Sequence, residues 1–152
     1  MPSTNNARGF VEYRHLAGHT TPLTRRYRVK ADAISGANSK LKGDPVTLVS
    51  GHTVARYNAG GSAASIAPIG IIRAVYNSDD RPFTHNAPSS GPILPASTAG
   101  WVEVNIDPFQ TYLINADATV VSTLVGQFTD ITANTISTAA GRSGFSLRVA
   151  GG

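Results

Sequence analysis

His15-Leu-Ala-Gly-His19 sets two imidazoles four residues apart, the spacing at which one helix face can clamp a metal ion. Gly18 interrupts that span, no Glu follows the first His, and the segment carries no helical period, so ordinary contacts are expected of both histidines. Asp79-Asp80 supplies adjacent carboxylates of the kind that ligate Ca²⁺ or Mg²⁺, but no D-x-D-x-D-G loop surrounds them and turn chemistry is the stronger reading. Gly141-Arg142-Ser143-Gly144 falls one residue short of the G-x-S-x-G nucleophile elbow. Gly36 and Gly43 bracket Lys40 and Lys42 without the G-x-x-x-x-G-K-[ST] order of a phosphate cradle. His52 and His85 stand alone. Spacing assembles no nucleophile, base and metal set. The expectation is a protein that is not an enzyme, with no catalytic residue, no metal ligand and no cofactor.

The elements that must hold these residues read as short strands. Tyr27 to Ala31 and Trp101 to Ile106 alternate apolar and polar residues, as half-buried strands do. Val46 to Val49, Val54 to Tyr57, Thr111 to Ala116, Thr119 to Val125 and Phe145 to Val149 read as further strands, and Ile69 to Tyr76, bounded by Pro68 and Asn77, is the clearest of all. Leu124, Phe128 and Ile131 suit one helical turn. Residues 81–100 hold four of the nine prolines and read as a long loop. Six to eight short strands without a long amphipathic helix predict an all-β fold, a compact sandwich or barrel.

At 152 residues the chain suits one domain that folds without staples, and it contains no cysteine from which to build any. No window approaches the roughly 18 apolar residues of a membrane helix, and the polar start does not read as a secretory signal. Charge is unevenly spread. Eight of the 13 basic residues lie in the first 42 against Glu12 and Asp32, a net of +6, while the remainder carries −2. Residues 1–30 therefore read as an extended basic arm and 31–152 as a β-rich body. Ten of the basic residues are arginine, which makes bidentate contacts with carboxylates and suits interfaces. Only 14% of residues are charged, against roughly 25% in a typical soluble domain, which leaves faces that are easily desolvated.

Five segments in order carry a further signal. They are Gly43-Asp44-Pro45-Val46; Pro68-Ile69-Gly70-Ile71 running to Tyr76; Val102 to Phe109 with Tyr112; Val125-Gly126-Gln127-Phe128-Thr129-Asp130-Ile131; and Thr138 to Ser143 ending at Leu147. This succession, over residues 43–147, resembles the head-decoration, or capsid cement, proteins of tailed bacteriophages. The resemblance implies a structural virion protein, made in the bacterial host cytoplasm, that binds the outer surface of an assembled capsid and stabilises it by bridging capsomers. It implies the major capsid protein as partner and self-association as a trimer or dimer, with no membrane or nucleic acid involved. On that reading Arg8, Arg14, Arg25, Arg26, Arg28 and Lys30 are the capsid-binding residues. Trp101, Phe109 and Tyr112 are the oligomer-interface candidates, with plain core packing as the competing role for these aromatics. The alternative functions are a nucleic-acid-binding β-barrel using the basic arm, with Tyr13 and Tyr27 as the nearest aromatics, and a glycan- or host-surface-binding module using the 81–100 loop.

Overall fold

The computed structural model describes residues 9–18, 21–32, 38–58, 67–79, 81–82, 93–117, 120, 122–124, 126, 130–133 and 143–149. Among them the fold is all-β. The strands are β1 (Val11–His15), β2 (Thr24–Val29), β3 (Lys40–Leu41), β4 (Pro45–Leu48), β5 (Val54–Arg56), β6 (Gly70–Asn77), β7 (Ile93–Leu94), β8 (Gly100–Asn105), β9 (Gln110–Leu113), β10 (Ile131–Ala133) and β11 (Phe145–Leu147). Five form the main antiparallel sheet in the order β2-β8-β6-β4-β5, and β1-β9, β3-β7 and β10-β11 pair as separate two-stranded ribbons. A bridge between Arg28 and Thr53 brings the two outer strands of the main sheet together, so the sheet curls toward a barrel.

Alternation sorts the two faces. Tyr27 and Val29 of β2, Val46 of β4, Val54 of β5 and Val102 and Val104 of β8 point inward and form one cluster with Ile72, Val75 and Leu94. These β-branched and aromatic side chains fit a pleated, half-covered surface, and their burial is the main stabilising term. Ile72 and Val75 are three positions apart, which in a regular strand would send them to opposite faces. A bulge resolves this. Ile72 faces Val104 while Ala74 faces Glu103, so Arg73 is the extra residue and both apolar neighbours reach the core. Gly70 has to be glycine because strand β8 passes so close: a Cβ there would lie 2.2 Å from the Asn105 carbonyl oxygen.

Three expectations are adjusted. The basic segment does not stand off from the body throughout, because β2 is an outer strand of the main sheet with Tyr27 and Val29 in the core. β1 likewise pairs with β9. The alternation that marks Tyr27 to Ala31 as a strand is the signal of β2, which begins at Thr24, inside the segment read as an arm. Ser122–Leu124 forms a short 3-10 turn where a strand was expected over 119–125. The helical turn expected from Leu124, Phe128 and Ile131 includes Phe128, outside the described residues; Ile131 begins β10. In the 81–100 segment Pro82 bridges to Tyr76 and Ile93–Leu94 pairs with β3, while 83–92 lie outside the described residues.

Candidate interaction surface

Strand β2 carries Arg26 and Arg28 exposed on one side of the sheet, with Lys30 exposed just beyond, while Arg25, opposite Val104, is exposed at the strand's other side. In register across β2, β8 and β6 stand the rows Arg28–Trp101–Tyr76 and Arg26–Glu103–Ala74. Directly opposed residues share a face, so these side chains project from the side of the sheet opposite the Tyr27–Val102–Val75 core row. The Arg26 guanidinium lies 4.2 Å from the centroid of the Tyr76 ring, a cation–π geometry. Tyr76 Oη approaches Glu103 Oε2 at 3.4 Å, and the bulged Arg73 reaches Glu103 at 3.9 Å and Glu12 at 3.8 Å. Glu12 also accepts a hydrogen bond from Asn105 Nδ2 at 3.0 Å, which ties β1 to the end of β8.

The β1–β9 ribbon is apolar on its outer side. Val11, Tyr13, Leu16, Leu23, Phe109 and Leu113 are between 46% and 67% exposed, a collection of large apolar side chains left in solvent. Val11 stands directly opposite Leu113. Leu16, Leu23 and Phe109 converge on Asp107: Leu23 N–H donates to Asp107 Oδ2 at 3.0 Å, Phe109 N–H donates to Oδ1 at 2.9 Å, and Leu16 N–H donates to the Phe109 carbonyl at 2.9 Å. His15 Nε2 donates to the same carboxylate at 2.9 Å. These bonds, the backbone N–H of Leu23 foremost, hold the Asp107 carboxyl down to about 2. Because Leu23 immediately precedes β2, the apolar cluster runs into the arginine-bearing strand.

A second knot lies beneath. Asp44 is fully buried; it accepts the Leu41 N–H at 3.0 Å and lies 3.3 Å from Arg56 Nε, and Ser143 also hydrogen-bonds to it. The Arg56 guanidinium sits 4.4 Å from the centroid of the Phe145 ring. Burial pushes the Asp44 carboxyl up despite these partners. Burial likewise brings the nearby Lys40 down to about 8. Gly9 closes the knot at φ +66°, against Ser143 and the Gly43 carbonyl, where a Cβ would lie 2.3 Å from Ser143. The Gly43-Asp44 turn and Ser143, from two of the five ordered segments, thus meet at one point.

Between the ribbon and the main sheet runs a groove of about 560 Å³, lined by Phe10, Tyr57, Ile69, Ile106, Tyr112 and Ile131 among others. Tyr112 stands edge-on to Phe10 in it, with ring centroids 5.8 Å apart, and burial raises its phenol above the ordinary range.

The expected site residues therefore fall in three places. Arg25, Arg26, Arg28 and Lys30 sit on or just beyond β2, Arg14 is exposed on β1, and Arg8 lies outside the described residues. Trp101 is half-buried on the outer sheet face beside Arg28. Phe109 is exposed at the ribbon's end, and Tyr112 is half-buried on the ribbon. Trp101 is thus separated from the other two aromatics and joined to the arginines. Asp79 lies in a turn organised by Asn77 Oδ1, which accepts the N–H groups of Asp79 and Arg81. Asp80 and His19 are outside the described residues. Among the described residues, no group of three or more His, Asp or Glu side chains is placed to hold a metal ion. No helix among them is long and apolar enough to cross a membrane. Tyr76, Glu103, Arg73 and Asp107 are not among the expected site residues, although all four lie within the five ordered segments, Tyr76 as the end of one and Asp107 before the proline of another. Searches against protein-family models, curated proteins and solved structures found no match for this chain.

Proposed function

We propose that the protein is a structural virion component that binds the outer surface of an assembled tailed-phage capsid and reinforces it by bridging neighbouring capsomers. The observation that carries this reading is the continuity of two surfaces: the arginine-bearing outer strand β2 and the exposed apolar cluster of Leu16, Leu23 and Phe109. Arginine with desolvatable apolar neighbours is the composition of a protein–protein interface. The order of the five segments supports the same reading, since the Gly43-Asp44 turn, Asp107 and Ser143 make the joints of the fold. Partners on this reading are the major capsid protein and further copies of this chain, as a trimer or dimer. Multivalent attachment multiplies modest contacts through high effective concentration.

Co-sedimentation with expanded empty capsids of its own phage, counting copies per shell across a salt series, tests the proposal. Saturation at a stoichiometry matching a symmetry class of the shell is expected, with affinity falling as salt screens the exposed arginines. Absence of shell binding, together with salt-sensitive retention on DNA, would replace it with the nucleic-acid reading.

A further inference from the structure

We infer that Trp101 belongs to the partner-binding face, together with Tyr76, Arg26 and Arg28, and not to the surface through which copies of this chain associate. The inference rests on the shell-binding reading and names the part of the molecule that seats on the shell. Three observations carry it.

The first is register. Arg28, Trp101 and Tyr76 stand directly opposite one another on three adjacent strands, on the face turned away from the core. The second is chemistry. Trp, Tyr and Arg are the residue types that dominate interface hot spots, and here one of each is contiguous. Arg26 over the Tyr76 ring holds its planar fork in one place, so less of its rotamer freedom is lost on engaging a carboxylate. The third is charge. Arg26, Arg28, Lys30 and Arg73 outnumber Glu12 and Glu103 on and beside this face. The surface remains cationic around a half-buried indole. Its complement is an acidic protein surface with carboxylates set around an apolar ledge.

Trp101 is the chain's only tryptophan, so its emission reports this face alone. Protein carrying 5-hydroxytryptophan at position 101 is excited beyond the absorption of the shell's own tryptophans and titrated with expanded empty capsids. A change in emission on adding capsids, with none on concentrating the protein by itself, is the expected result. Trp101→Ala and Arg28→Glu should each weaken shell binding at least about tenfold. Trp101→Phe, which keeps an aromatic ring, should retain most of it.

Emission that responds to protein concentration but not to capsids would return Trp101 to a self-association face and overturn the inference. So would shell binding at wild-type affinity by Trp101→Ala and Arg28→Glu, with the shell reading itself left standing. Failure of the wild-type chain to sediment with shells would overturn both, and an emission change on adding single-stranded DNA alone would assign the face to nucleic acid.

Discussion

His15 Nε2 and Asp107 Oδ2 meet at 2.9 Å with their side chains only 7% and 9% exposed, joining the end of the β1–β9 ribbon to the turn that leaves β8. The same carboxylate accepts the N–H groups of Leu23 and Phe109. One aspartate thus fixes the chain on both sides of the exposed apolar cluster.

The first prediction concerns acid. Asp107 is held at about 2 in the folded protein against 3.8 ordinarily, so its contribution is fully present above about pH 4 and is lost as the pH falls toward 2. Urea midpoints measured from pH 5 to pH 2 should show a fall in the wild type that is smaller in Asp107→Asn. At pH 7 the variant should be the less stable of the two. Parallel pH curves would show that Asp107 contributes no such linkage.

Lys40 works in the opposite pH range. Burial lowers its ammonium from 10.5 to about 8, so between these values the unfolded chain binds more protons than the folded one. Stability from this group should rise with pH from about 8 to 10.5. Lys40→Met should flatten that rise, as read by thermal unfolding at pH 7.5, 9 and 10. An unchanged slope would place the Lys40 amine in solvent.

Much of this architecture was legible in the chain. Val102-Glu103-Val104 announces a strand by its alternation and Gly70 to Tyr76 by its β-branched run between Pro68 and Asn77, and both strands lie inside the main sheet. Strand β1 was not legible, since Val-Glu-Tyr-Arg-His buries no apolar residue and owes its form to pairing with β9. β3 and β7, of two residues each, are too short to show a period. The outer face was hidden for a different reason. Tyr76 and Trp101 are far apart in sequence, and only the bulge at Arg73 puts Tyr76 in the row with Trp101 and Arg28.

The buried Asp44–Arg56 pair gives an asymmetric prediction. Removing one member of a buried ion pair costs about 3–5 kcal/mol, because the other is left uncompensated. Arg56→Met leaves a carboxyl that can take up a proton, and its value is already raised by burial. Asp44→Ala leaves a guanidinium that cannot give one up. Asp44→Ala should therefore be the more damaging change at pH 7. The deficit of Arg56→Met should shrink as pH falls toward 5, measured by urea unfolding. Equal deficits at both pH values would show that Asp44 is not held as an anion by Arg56.

The last prediction separates the arginines' binding role from the strand that carries them. Deleting residues 1–30 removes β1 and β2 together, taking Tyr27 and the fully buried Val29 out of the core and exposing the long edge of β8. Loss of two such core side chains, each worth roughly 1.5–3 kcal/mol in burial alone, is a large part of the 5–15 kcal/mol that holds a domain together. The truncated chain should show no cooperative thermal transition, so its failure to decorate capsids would say nothing about the arginines. Arg25→Ala with Arg28→Ala changes only exposed side chains and should keep the wild-type transition within a few degrees. A cooperative transition in the 1–30 deletion would show that the body folds without β2, which the burial of Val29 opposes.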